Sequence, residues 1–181
     1  MEAELSSMKR RLILSFLFLI PLFYISMGHM MGAPLPAFLV GHENAISFAF
    51  TQLLLTLPIL YINDKYYKNG FRSLLHGGPN MDSLIAVGSI AAVIYGVFAI
   101  YQIGYGLGHG NMELVEQYHM DLYFESAGMI LTLITLGKFL ETRSKGKTSQ
   151  AISRLMDLAP KTATVLRDGA EAEIPVEEVR V

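Results

Sequence analysis

The chain has 181 residues, 52% of them hydrophobic, and a mean hydropathy of +0.39, which is high for a soluble domain and fits a chain mixing bilayer spans with polar segments. A formal net charge of −2 gives no reason to expect a nucleic-acid or acidic partner from the overall balance. The lack of cysteine excludes disulfides, thiolate metal sites and cysteine nucleophiles from this chain.

The first apolar run, 12–31, follows Lys9, Arg10 and Arg11. It is too long for the apolar region of a secretory signal, has no small-x-small cleavage pattern, and is followed by further runs of similar length, so it reads as a membrane span. Runs at 46–66, 82–101 and 120–141 are also long enough to cross a hydrocarbon core at ~1.5 Å rise per residue. Pro21 and Pro58 lie inside the first two spans, where a missing N–H is expected to bend the helix. Between spans two and three, residues 65–76 interleave apolar side chains with cations. They read as an interfacial segment with Tyr66, Tyr67, Phe71, Leu74 and Leu75 in the headgroup boundary and Lys65, Lys68 and Arg72 outward. Gly77, Gly78 and Pro79 end it, and Asn80 is placed to cap the third span, with Asp82 in its first turn. Gly88, Ala92 and Gly96 in the third span, and Gly128 and Thr132 in the fourth, form small-residue stripes that predict contact between those two helices.

All fourteen Lys and Arg residues fall at 9–11, 65–72 and 138–180. The loops at 32–45 and 102–119 carry none, so the positive-inside rule places both termini in the cytoplasm. After Glu141 a basic, polar helix is expected over 142–158, stopped by Ala159-Pro160. Residues 162–167, the turn pair Asp168-Gly169 and residues 173–176 then read as a β-hairpin with too little chain to close a sheet. The expected fold is mainly α, with a four-helix transmembrane bundle over 1–142. A cytoplasmic linker helix and an incomplete β-hairpin follow over 143–181.

Four motifs in this order resemble the N-terminal membrane half of a heavy-metal-translocating P-type ATPase. They are Pro79-Asn80-Met81-Asp82-Ser83-Leu84-Ile85-Ala86, Tyr123-Phe124-Glu125-Ser126-Ala127, Leu136-Gly137-Lys138-Phe139-Leu140-Glu141, and Leu158-Ala159-Pro160-Lys161-Thr162-Ala163 leading to Arg167-Asp168-Gly169. The Asn-Met-Asp and Tyr-Phe-Glu versions are similar to the copper(I)-exporting branch. Where that branch often bends its second helix at a Gly-Gly pair, this chain has Asn63-Asp64. The resemblance implies a fragment holding the first four helices and the opening of the actuator domain. Cu(I) is the transported ion, and ATP and Mg²⁺ are handled only by the full-length parent. The Cys-x-x-Cys module, Thr-Gly-Glu, Cys-Pro-Cys and Asp-Lys-Thr-Gly-Thr of the full family do not occur here, so the chain by itself is expected to be inactive. It also implies a multi-pass protein of the plasma membrane, whose partners are the bilayer, the rest of the ATPase and a copper chaperone.

By family position, Met81 and Glu141 form the ion entrance: a thioether suits a soft monovalent ion, and a carboxylate supplies compensating charge. The plainer reading is that Met81 packs and Glu141 pairs with Lys138 or Lys145. Glu125, at membrane depth, matches the exit route, against a plainer reading in which it snorkels to the headgroups. Met27, His29, Met30 and Met31 at the outer end of the first span are candidate outer copper contacts, or simple packing. His109, Met112, His119 and Met120 lie on the other outer loop. Lys65, Lys68 and Arg72 offer a docking platform for an acidic chaperone surface, or anchor to anionic lipid. Two alternatives stay open: a Zn(II) or Cd(II) member of the family, and a stand-alone, non-catalytic four-helix membrane protein that binds metal.

Overall fold

Long apolar runs whose few polar residues recur at helical spacing fold as helices in the computed structural model, which describes residues 2–28, 30–157, 162–167 and 170–175. The chain separates into two units, residues 2–139 and 140–181.

In the first unit, α1 (Glu2–Gly28) begins ten residues before the expected span and continues through Pro21. Short 3₁₀ turns at Ala37–Leu39 and His42–Asn44 lead into α2 (Ala45–Ile62), which likewise continues through Pro58. The expected span over 46–66 is corrected at Asn63. The helix stops there because the Asn63 backbone N–H and side-chain amide both turn back onto the last carbonyls of α2, and α3 (Asp64–Leu75) starts afresh. The bend associated with Gly-Gly in the copper branch is thus made here with an asparagine.

α3 ends in a six-residue wrap. Gly78 N–H bonds Ser73 O and Gly77 N–H bonds Leu74 O, with Gly77 at φ +73°, a conformation a Cβ would strain. α4 (Met81–Gly108) opens with a reciprocal cap, in which Asn80 Oδ1 accepts from Ser83 N–H and Ser83 Oγ accepts from Asn80 N–H. It runs seven residues past the expected end of the third span. The expected fourth span, 120–141, is also corrected. A separate helix α5 (Met112–Met120), capped by Asn111, precedes a break at 121–123, and α6 (Phe124–Asp157) then continues through the position where a new helix was expected at 142.

Four stretches, Ala3–Gly28, His42–Ile62, Met81–Gly108 and Met112–Ser149, are helical and apolar enough to cross a bilayer. Their core joins Leu19, Leu22, Phe48, Ile59, Ile103, Phe124 and Leu131. The small-residue stripes do not form a single α4–α6 seam. Gly96 does face α6, since a Cβ there would lie 2.4 Å from the Phe124 ring. Gly88 faces open space, and Gly128 packs instead against Leu19 and Leu22 of α1 and Ile59 of α2.

The second unit holds the end of α6 and a two-stranded antiparallel ribbon, β1 (Thr162–Arg167) and β2 (Ala170–Pro175), with Thr162 opposite Pro175 and Arg167 opposite Ala170. β2 begins three residues earlier than expected. The Ala159-Pro160 stop and the Asp168-Gly169 turn lie outside the described residues.

Candidate functional site

Gln52 and Thr56 in α2 and Asn63 at its C-terminal cap share one face and are all fully buried, while Ser47 and Thr51 lie off it. This spacing places them along the inside of the bundle, and they divide it into two polar layers.

At the end that holds Arg11, Lys65 and Lys138, hereafter the basic end, Asn63 makes a complete set of side-chain bonds. Its Nδ2 donates to Ser15 Oγ (2.8 Å) and Ile59 O (2.9 Å), while its Oδ1 accepts from Arg11 Nη2 (3.2 Å) and Thr135 Oγ1 (3.0 Å). Thr135 shares its proton between Asn63 Oδ1 and Leu131 O, which leaves the Tyr66 hydroxyl to donate to Thr135 Oγ1 at 3.0 Å. The Tyr66 ring, expected in the headgroup boundary, is instead 4% exposed, because its hydroxyl reaches this network and Arg11 and Lys138 both lie against its face. Lys138 also pairs with Asp82 at 2.6 Å. Arg11, Lys65, Tyr66, Asp82 and Lys138 line a cleft of about 500 Å³ at this end.

α3 forms the platform beside the cleft. Its Lys65, Lys68 and Arg72 are exposed, as expected. Lys68 pairs with Asp64 one turn earlier; the ammonium beside it holds the Asp64 carboxyl below the usual carboxylate range, and the carboxylate raises Lys68. Burial pushes the Tyr67 phenol up, partly offset by its hydrogen bond to Ser89. Gly70 lets α3 approach α4 closely: a Cβ there would lie 2.3 Å from Asp82 O, and Ser83 Oγ donates to Gly70 O at 2.6 Å.

At the distal end Glu125, in the first turn of α6, is 6% exposed. Ser26 Oγ donates to its Oε2 (3.0 Å) and Ser126 Oγ to its Oε1 (3.1 Å), so each carboxylate oxygen has a hydroxyl donor. An acidic group that is enclosed rather than directed at the surface is not snorkelling. The amide of Gln52 is buried with no hydrogen-bond partner on either atom among the described residues, and neither has the Thr132 hydroxyl. Next to this layer Phe48 contacts His119 with ring centroids 4.5 Å apart, and His42 stacks on His119 at 6.2 Å.

The remaining candidates are more dispersed. Met81, first residue of α4, is 61% exposed next to Asp82. Glu141 belongs to the second unit, where it pairs with Lys145 one turn on. Met27 is half-buried, Met30 and Met31 are 65% and 83% exposed, and His29 lies outside the described residues. Of the other outer-loop residues, Met112 and Met120 are exposed and only His119 joins a ring cluster with α2. No cluster of three or more His, Asp or Glu is positioned to hold a metal among the described residues.

Sequence reasoning missed Ser26, Gln52 and Asn63. The missed signal was the spacing of Gln52, Thr56 and Asn63, which falls on one helix face away from Ser47 and Thr51.

No protein-family profile matches the chain. It is similar to the probable copper-importing P-type ATPase A of Enterococcus hirae, at 38% identity over 99% of this chain and 22% of that protein. The copper-exporting P-type ATPase of Staphylococcus epidermidis is 34% identical over 99% of this chain and 21% of its own length. That of Bacillus subtilis is 38% identical over 82% and 19%. The chain spans about one fifth of the length of these curated relatives. Aligned along almost its whole length, and holding four helices long and apolar enough to cross a bilayer, the chain is an integral membrane protein that belongs to the copper P-type ATPase family.

Proposed function

We propose that this chain is the part of an ATP-driven Cu(I) exporter through which the ion approaches and leaves the membrane. The observation that carries the reading is Glu125. A carboxylate enclosed at membrane depth is costly to keep, and it attracts a cation leaving toward the far side. The positive-inside distribution puts the basic end in the cytoplasm; export is taken from the resemblance to the copper-exporting branch, and among the relatives one is named an importer and others exporters.

In this reading Met81 and Glu141 receive Cu(I) at the cytoplasmic face. The exposed Met81 thioether offers a soft ligand, and Glu141 supplies charge without a thiolate cage that would trap the ion. Arg11, Lys65 and Lys138 line the cleft together with Glu4 and Asp82, Lys138 being paired with Asp82, and Met81 lies beside Asp82 at the start of α4. Lys65, Lys68 and Arg72 dock the acidic surface of a copper chaperone. Residues 1–142 serve as the membrane region and 143–181 as the linker and the start of an actuator domain. ATP and Mg²⁺ act on domains of the parent protein, which sits in the plasma membrane.

The test is copper-dependent transport into proteoliposomes by the full-length ATPase carrying Glu125→Gln, Met81→Ala or Glu141→Gln. Loss of transport in Glu125→Gln with normal protein folding supports the exit role. Wild-type transport in that variant ends it. Parallel assays with Zn(II) and Cd(II) decide the ion, and faster uptake of either than of Cu(I) would favour the other branch of the family.

A further inference from the structure

Gln52 sits fully buried in α2 with both amide atoms unpartnered among the described residues. Enclosing an amide without hydrogen bonds is costly. A leucine of similar size would pack there at no such cost, so packing does not account for this side chain.

Its surroundings are fixed by neighbouring contacts. The antiparallel register of α1 and α2 is set by Asn63 on Ser15 and by Ile59 beside Leu19 and Leu22, both around Gly128. Continued along both helices, that register brings Ser26 opposite Gln52. α6 runs parallel to α2, with Thr135 on Asn63 and Gly128 near Ile59, which places the first turn of α6, including Glu125, in the same layer. The Ser26–Glu125 hydrogen bond closes the layer from the α1 side. Phe48 and His119 cover it distally, and the Ile59–Gly128 contact closes it toward the basic end. Thr56 does not relieve the amide, because its hydroxyl proton goes to the Gln52 backbone carbonyl at 2.8 Å.

We propose that Gln52 is a positioning residue of this layer, turning its amide N–H toward the Glu125 carboxylate and its carbonyl oxygen toward a passing soft monovalent cation. A neutral amide has both functions in one side chain. Its N–H competes with the cation for the carboxylate lone pairs. Its oxygen is a poor ligand for a soft ion, so the layer passes the ion on rather than storing it. The unmade hydrogen bonds are then those of a side chain between two working arrangements. The inference rests on the transport reading of Glu125.

The experiment compares Gln52→Leu, the isosteric Gln52→Met and Glu125→Gln in the full-length ATPase, reading thermal midpoint and Cu(I) transport turnover in proteoliposomes. The expected result is a split: Gln52→Leu keeps or raises the midpoint and lowers turnover about tenfold. Should Gln52→Leu not fold, Gln52→Met is judged by the same split. Turnover kept with a raised midpoint, or turnover and midpoint falling together, overturns the proposal by making the amide structural. If Glu125→Gln itself transports normally, the transport reading has failed. If only Gln52 proves indifferent, that reading stands and this inference falls.

Discussion

Two carboxamides three turns apart, Gln52 within α2 and Asn63 capping its C-terminal end, have opposite surroundings: Asn63 makes four side-chain hydrogen bonds and Gln52 makes none among the described residues. The first fixes α1, α2 and α6 to one another at the basic end. The second leaves the distal layer with a buried amide unpartnered among the described residues. A buried polar residue is therefore not by itself a sign of a structural joint or of a transit site, and the difference lies in how fully it is satisfied.

The sharpest way to break this comparison is Asn63→Leu, which strips partners from Ser15, Arg11 and Thr135. It is expected to destabilise the bundle by about 3 kcal/mol, read as a lowered thermal midpoint in detergent. An unchanged midpoint would remove the contrast with Gln52. Gly70→Ala comes next, at about 2–3 kcal/mol, because the new methyl would meet the Asp82 backbone, which cannot rotate away. Cross-linking between α3 and α4 should fall with it. On the distal side Ser26→Ala removes one of two hydroxyl donors from Glu125 and is expected to cost about 1 kcal/mol, with a larger effect on transport than on the midpoint. Last is Asp64→Asn, on the exposed surface of α3. Its carboxyl is lowered by Lys68, so its contribution is present above the unfolded carboxylate pKa and is lost as pH falls through the lower folded value. The variant should sit slightly below the parent in midpoint at neutral pH and converge with it as pH falls through the folded value of Asp64.

The four spans were legible because bilayer crossing demands length and apolarity, both of which are local properties of the sequence. Asn80 was legible as a cap for the same reason, since the pattern Asn80-x-x-Ser83 is contained in one turn. Helix ends were less so. The end of α2 depends on Asn63 reaching Ser15, 48 positions away, and the burial of Tyr66 depends on Thr135, 69 positions away. Glu125 stood out from its depth and its motif. Ser26 and Gln52 did not, since a serine or glutamine in an apolar run looks like tolerated polarity until the neighbouring helices are in place.

Thr51, Thr56, Ser89 and Thr135 each donate a hydroxyl proton to the carbonyl four residues earlier in their own helix. Groups satisfied in this way need no second helix and so present little obstacle when a segment leaves the translocation machinery for lipid. Gln52 has no such internal remedy among the described residues, whereas Asn63 and Glu125 each have a partial one, in Ile59 O and Ser126 Oγ. Asn63 meets Ser15 when α1 and α2 pair, its bond to Thr135 requires α6, and Glu125 gains its second hydroxyl donor, Ser26, only when α6 packs on α1. The polar bonds that hold α1, α2 and α6 to one another are therefore complete only once α6 is in place.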